Sequence, residues 1–361
     1  MWPYWILFLI PTFWAVSRLE PTTYVPLSLT VARWPQEWRF IFIFLVLMIG
    51  LRHEVGGDWT TYVVMLDSYN DTTTVEKFGF QDPAFVLLNK LTTLLGTGVY
   101  LLNLISAIFF SWGLVIFCRA QSRPWLALVV AVPYLITVVA MGYTRQGVAI
   151  GLSMVAMVAL GHGNTLRFIL WIGFAALFHK SAIILIPLAI LASTKRRLFT
   201  LVWAAVAGCT LYVLLLQEAA SFLAEGYIQS QYQSSGAVIR VVMNAFPGAL
   251  FLIFRRQFKL TQELLSFWTW MAWIALLFIV VLQLSPSSTA VDRVALYWIP
   301  LQLFVLSRLP NALGKSDGKN AGWVYSVVAY SATVYFVWLL YADTAFAWLP
   351  YQFYPLVWLW Q

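Results

Sequence analysis

Charge is what this chain has least of. Only 10% of its 361 residues are charged, 61% are apolar, and the mean hydropathy is +0.80. So little charge excludes a soluble globular protein. The apolar stretches are continuous, not short and alternating, which excludes an outer-membrane barrel. An all-α polytopic membrane protein remains. Cysteine is nearly absent as well. Cys118 and Cys209 sit in apolar segments with no CxxC or CxxH spacing, so they read as small core hydrophobes and supply no disulfide framework. The His, Cys and Asp positions show no metal-ligand spacing, and no metal or cofactor is expected. Acids are outnumbered by bases, 14 to 22. The bases are dispersed among loops, which argues against nucleic acid as a partner. The lipid bilayer, its headgroups or a pyrophosphate suit that distribution better. What the chain has in plenty is aromatic: 19 Trp and 17 Tyr, the residues of interfacial belts.

Hydropathy places spans near 2–16, 39–51, 98–117, 125–141, 146–160, 167–178, 181–193, 199–216, 240–254, 264–284, 291–307 and 321–340, with room for a thirteenth. The expected fold is therefore a bundle of about 11–13 transmembrane helices, in one domain over 1–361, without internal repeat or linker. Several spans fall well short of the ~20 residues that a perpendicular crossing needs. The pair 167–178 and 181–193 is joined through Phe178-His179-Lys180-Ser181, with only His179-Lys180 between the two runs. It is expected to turn below the surface and bury His179 and Lys180 in a protein-lined pocket. The first span lacks a basic flank and a cleavage site and reads as retained. Asn70-Asp71-Thr72 matches a glycosylation sequon, a pattern too common to carry weight. Residues 83–96 read as an amphipathic helix opened by Asp82-Pro83. The aromatic tail Tyr341–Gln361, broken by Pro350 and Pro355, is expected at the outer interface.

Basic loops set the orientation. Arg119 with Arg123, then Lys195-Arg196-Arg197, then Arg255, Arg256 and Lys259 carry no acid, and 308–319 is net basic, so these loops are cytoplasmic. Loop 52–82 sets Arg52 and Lys77 against Glu54, Asp58, Asp67, Asp71, Glu76 and Asp82, and belongs outside. Alternation then puts 142–145, 179–180, 217–239 and 285–292 outside too. Every polar cluster of the chain lands on that side, which predicts one outward-facing polar cavity. Charge at membrane depth is costly and is seldom kept without a role.

Gly56-Gly57 permits a tight turn that presents Asp58 ahead of Trp59 and Tyr62. A semi-enclosed carboxylate there suits proton abstraction, with Arg52 close by to adjust it; the plainer reading is a helix N-cap and an interfacial arginine. Arg145-Gln146 opens a helix whose N-terminus faces outward, where backbone N–H groups and the arginine can bind an anion. Snorkelling is its plain alternative. His179-Lys180 reads as a substrate contact or as hydrogen-bonded structure. Arg240, with Asn244 and Pro247 following, reads as an anion ligand or a capped, snorkelled arginine. Asp292-Arg293 opens a span in which Arg293 and Tyr297 share a face, and Asp292 is an N-cap, an arginine partner or a reserve base. Four arginines, a lysine, a histidine and two or three carboxylates describe a base opposite a cationic leaving-group clamp. That is the equipment of glycosyl transfer from a polyprenyl-diphosphate donor.

These pieces resemble the EpsG family of bacterial exopolysaccharide polymerases, relatives of the Wzy-type O-antigen and capsule polymerases. The resemblance rests on Arg52-x-x-x-Gly-Gly-Asp58-x-x-x-Tyr62, Asp82-Pro83 and Tyr143-Thr144-Arg145-Gln146-Gly147-Val148-Ala149. It rests further on Phe178-His179-Lys180-Ser181-Ala182 with Ile186-Pro187, Arg293 with Tyr297, and Pro350-Tyr351. Family members often show Glu-Pro where this chain has Asp82-Pro83, and a single Gly before Thr-Asp where it has Gly-Gly-Asp. Asp58 keeps the family role under those departures, whereas none is carried onto Asp82. The family implies a GT-C-like helical fold with an acidic catalytic residue in the first external loop, a position that Asp58 fills. It also implies that a glycan moves from undecaprenyl diphosphate to the non-reducing end of a lipid-linked repeat unit.

The expectation is a metal-independent, inverting repeat-unit polymerase in the bacterial cytoplasmic membrane, its site facing outward. Asp58 is the base, with Asp292 or Glu54 in reserve. Arg52, Arg145, Arg240 and Arg293 hold the diphosphate, His179 and Lys180 position phosphate or sugar, and Gln146, Tyr62, Tyr297 and Asp292 line the substrate. A flippase and a chain-length regulator are the protein partners that such a polymerase would have. Two rival readings are a flippase of lipid-linked oligosaccharide and a membrane O-acyltransferase with His179 as base.

Overall fold

Each span expected from hydropathy takes helical form wherever the structure describes it. The structure, a computed structural model, describes residues 1–21, 31–68, 82–188, 202, 206, 236–285, 287–315 and 318–360. The expected span 199–216, most of loop 217–239, Lys195-Arg196-Arg197, the Asn70 sequon, Asp71, Glu76 and Cys209 lie outside the described residues.

In chain order the helices are α1 (Trp2–Ser17), α2 (Gln36–Gly50), α3 (Trp59–Ser68), α4 (Pro83–Leu94), α5 (Gly98–Arg119), α6 (Pro124–Ala131) and α7 (Thr144–Gly161). They continue with α8 (Thr165–Phe178), α9 (Ala237–Phe254), α10 (Gln262–Leu284), α11 (Ser288–Ala295), α12 (Ile299–Leu313), α13 (Ala321–Tyr341) and α14 (Tyr354–Trp360). Among the described residues, six helical stretches are long and apolar enough to cross a membrane: α5, α7, α9 with its extension to Phe258, α10, the run from α11 through α12, and α13. Helices α1 and α8, and α6 with its continuation to Ala140, are shorter and equally apolar. The chain is an all-α, multi-pass membrane protein.

Water drives little of the packing inside a bilayer, so close backbone approach matters more. Gly113 of α5 faces Gly151 of α7 so tightly that a Cβ on Gly113 would sit 2.0 Å from the Gly151 carbonyl oxygen. A Cβ on Gly50 of α2 would lie 2.8 Å from the Leu104 backbone. These glycines bring α2, α5 and α7 together, the three helices that carry the first polar clusters. Past α6, Pro133 has no N–H to give to the helical ladder, and Val132–Ala140 winds in wider i→i+5 turns. The Thr137 carbonyl in that stretch accepts the Trp348 indole N–H at 2.8 Å, fixing the tail against the bundle.

The basic and polar residues separate to opposite ends. At one end Arg123 binds the Leu19 carbonyl, Asn311 at 2.8 Å and the Gly318 carbonyl at 2.9 Å. Arg308 beside it reaches Gln121 at 3.2 Å. Trp14, Trp125 and Trp38 stack there with centroids 5.5 and 4.2 Å apart. The clusters that the sequence singles out sit after α2, at the start of α7, after α8, in the first turn of α9 and on α11.

Candidate active site

Arg52 anchors the site. Its guanidinium is 1% exposed and donates to the Ile49 carbonyl at 2.5 Å, the Val55 carbonyl at 3.0 Å, Asn103 at 3.0 Å and Thr144 at 2.9 Å. That ties the end of α2 to α5 and to the first residue of α7. Four of the five guanidinium N–H groups of Arg52 are thus given to protein acceptors, so it holds the loop in place and has little left to offer the diphosphate that it is expected to bind.

The loop it holds is clamped from two sides. Gly56 adopts φ +107°, and a Cβ there would lie 2.1 Å from the Met141 carbonyl oxygen. Its N–H donates to the Ala347 carbonyl at 2.8 Å, and the Asp58 N–H to the Gly142 carbonyl at 3.2 Å. The tail closes over the other side, with His53 N–H on the Gln352 carbonyl at 3.0 Å and Tyr354 N–H on the Leu51 carbonyl at 2.8 Å. Trp348 is 2% exposed, so this part of the tail forms a wall of the site, while Phe346, Leu356, Trp358 and Leu359 stay exposed. Gly56→Ala is expected to cost roughly 3 kcal/mol or more, because both the backbone conformation and the space forbid it. Gly96→Ala, also at positive φ but with open space around it, should cost only about 1 kcal/mol. Thermal melts of the two detergent-purified variants check the contrast.

Asp58 comes out of this clamp half-buried. Burial raises its pKa above the ordinary carboxylate value, and Arg293, Arg145, the Tyr62 hydroxyl and Arg52 pull it back in part. Tyr62, on α3 one turn later, donates to Asp58 Oδ2 at 3.2 Å. The same hydroxyl accepts the Arg145 backbone N–H at 3.4 Å, so one amide of the α7 N-terminus is already used. Burial, followed by the Asp58 charge, pushes the Tyr62 phenol up to about 12.

Asp82, to which the sequence reading gave no role, is the hub of the other half. It is 5% exposed at the head of α4. Its Oδ2 lies 3.3 Å from Arg145 Nη1 and 3.4 Å from His179 Nδ1, and its Oδ1 accepts the Lys180 backbone N–H at 3.0 Å. Burial alone would raise its pKa; His179, Arg145 and the Lys180 amide more than offset this and hold it below the ordinary value. His179 has an extended backbone between α8 and a short 3-10 turn over Lys180–Leu185. Histidine and lysine are only half-buried there, not sealed as the hairpin reading expected.

The last arc comes from α9 and α11. Arg240 binds Asp292 through both carboxylate oxygens, at 2.5 and 2.7 Å. Asp292 is thus an arginine partner, and the reserve-base reading loses its free carboxylate. Arg293 turns the other way and sets its guanidinium 4.1 Å over the Tyr143 ring. Among the described residues the Arg293 guanidinium makes no hydrogen bond, which leaves its donors for an anion. Gln146 donates to the Arg293 carbonyl at 2.5 Å, and its own Oε1 is buried without a partner. Tyr297 does not meet Arg293 as the shared face suggested: it is buried and receives the Ser181 hydroxyl at 3.3 Å. Glu54 is exposed, with φ +52°.

The structure thus brings Asp58, Tyr62, Arg145, Asp82, His179 and Lys180 into one continuous network, with Arg293, stacked on Tyr143, near enough for its charge to act on Asp58. Among the described residues, no group of three or more His, Cys, Asp or Glu is placed to hold a metal ion. The site offers one carboxylate of raised pKa between two arginines, which can accept a proton while cations take up negative charge on a leaving group. No curated protein and no solved structure matches this chain. A sequence model of the EpsG family matches residues 38–353, a stretch that contains every residue of the network.

Proposed function

The chain belongs to the EpsG family of polysaccharide polymerases, and from that premise we propose that it joins lipid-linked oligosaccharide repeats at the outer face of the bacterial cytoplasmic membrane. The whole chain acts as one polymerase domain. Asp58 takes the proton from a hydroxyl at the non-reducing end of the incoming repeat. The oxygen attacks the anomeric carbon of the growing glycan, the bond from that carbon to undecaprenyl diphosphate breaks, and the diphosphate leaves with the electron pair. Arg293 and Arg145 take up its charge, the task that a divalent cation performs in other transferases. A single base opposite the leaving group implies inversion, since retention would need a positioned nucleophile too. A flippase that delivers repeats and a regulator of chain length are the partners that this reaction calls for.

The observation that supports this reading is a half-buried Asp58 bound to Tyr62, with the charge of Arg293 acting on it and the Arg293 guanidinium making no hydrogen bond among the described residues. The test is purified protein with synthetic undecaprenyl-diphosphate repeats in the presence of a chelator, products resolved by size. A ladder is expected. Arg293→Ala should shorten it and lower kcat/KM roughly a hundredfold, the scale of one lost transition-state donor. Transport of labelled repeats across a liposome bilayer with no lengthening would replace the polymerase with a flippase.

A further inference from the structure

The arginines that the sequence singles out are held in two different ways. Arg52 gives its guanidinium to four protein acceptors, Arg145 pairs with Asp82, and Arg240 with Asp292. Arg293 is held by a ring instead. Its guanidinium carbon lies 4.1 Å from the centre of the half-buried Tyr143 ring, and among the described residues that guanidinium makes no hydrogen bond. The difference has a chemical consequence. A hydrogen bond fixes a guanidinium by using up an N–H donor, whereas a ring face fixes it through the π quadrupole and uses none.

Tyr143 is itself firmly placed. It is the N-cap of α7, with φ −129° and ψ 66° outside the helical range. Its N–H donates to the Val139 carbonyl at 2.8 Å, and its carbonyl accepts the Gly147 N–H at 2.8 Å, so the backbone is pinned from both sides. Trp348 packs edge-on against the ring, centroids 6.5 Å apart at 74°. That indole is buried and tied twice, through its N–H to the Thr137 carbonyl and through its own carbonyl to the Tyr4 hydroxyl at 2.6 Å. The first turn of α7 grips the other end of Arg293 too. Gln146 donates to the Arg293 carbonyl at 2.5 Å, and Asp292, one residue earlier, is tied to Arg240 on α9. Arg293 is thus fixed at its backbone and at its guanidinium, and its donors stay open.

We propose that Tyr143 is a positioning residue, whose ring orders the Arg293 guanidinium before the substrate arrives; this rests on the polymerase reading above. An arginine side chain free to turn would have to give up that freedom in the transition state, and the rate would suffer. One already ordered can donate to the developing charge without reorganisation. The role belongs to the ring face and needs no hydroxyl.

The experiment runs the lengthening assay on wild type, Tyr143→Leu, Tyr143→Phe, Arg293→Ala and Tyr143→Leu combined with Arg293→Ala, each shown to be folded by its thermal melt in detergent. Tyr143→Leu keeps the bulk and loses the quadrupole, so kcat should fall about tenfold with KM little changed. Tyr143→Phe restores a ring face and should recover most of that loss. The cycle then separates positioning from structure. In the Arg293→Ala background the tenfold loss should vanish, because Tyr143 has nothing left to hold. A tyrosine that only supports the fold would cost the same factor in both backgrounds, and that result overturns the proposal. So does a Phe variant as slow as the Leu variant, or a Leu variant as fast as wild type. Should Tyr143→Leu fail to fold, Tyr143→Met takes its place in the same cycle. If wild type lengthens nothing, the polymerase reading fails and the proposal with it; an additive cycle in an active wild type removes the proposal alone.

Discussion

Asp58→Asn is expected to abolish the polymer ladder while making the protein more resistant to heat. Both effects come from one fact, the burial of a carboxylate among groups that only partly compensate it. In the folded chain its pKa lies above the unfolded value, so the folded state takes up this proton more readily. The stability linked to that proton is present below the unfolded carboxylate value and is lost as pH rises through the folded one. At neutral pH the ionised group is therefore a standing cost. Asparagine removes the charge, keeps the shape, and still offers an oxygen to the Tyr62 hydroxyl now bound at 3.2 Å. Loss of a general base lowers turnover by roughly 10²- to 10⁴-fold. The measurement pairs single-turnover lengthening with melting temperature at pH 7. In the wild type, the acid limb of the kcat profile should also lie above the ordinary carboxylate range. A variant that kept near wild-type lengthening would remove Asp58 as the base; one that melted lower would contradict the burial argument.

The positions of the helices were legible because a bilayer punishes charge and broken backbone uniformly, so hydropathy alone marks α5, α7, α9, α10 and α13 to within a few residues. The convergence of Asp58, Arg145, His179 and Arg293 was legible for the same reason, since the positive-inside rule sorts loops by side without any knowledge of packing. Partnerships were not legible. Arg52 reads like Arg293 on paper; only the depth of the α2–α5–α7 contact shows that Asn103 and Thr144 consume the first guanidinium and leave the second. Asn103 and Thr144 lie within apolar runs and carry no motif. Asp82 reads as a helix-starting Asp-Pro, the commonest use of that pair. Its side chain makes no cap bond and instead reaches across 97 residues to His179. The inward role of Trp348 was not legible either: aromatic composition suits an interface and a buried wall alike, and only its hydrogen bonds to Tyr4 and Thr137 show that this residue closes the bundle.

Asp82→Asn should act on stability with the opposite sign. Asp82 is a buried carboxylate whose three donors hold its pKa below the unfolded value despite burial. Its stabilisation is therefore present above the unfolded carboxylate range and is lost as pH falls through the folded value. Asparagine can still accept the Lys180 amide but cannot neutralise Arg145, which at 32% side-chain exposure is partly screened by water. The expected cost is roughly 2 kcal/mol, within the range for hydrogen bonds to a charged group. The melting temperature should drop at pH 7, and the gap to wild type should narrow as the pH is lowered towards 4. Activity should fall too, by roughly ten- to a hundredfold, because Arg145 and His179 lose the group that fixes their position relative to Asp58. Unlike Asp58→Asn, this variant should leave the acid limb of the kcat profile in place, since the base itself is untouched. A shifted acid limb after Asp82→Asn would instead make the Asp82–His179 pair the proton acceptor, with Asp58 left to steer the cations around it.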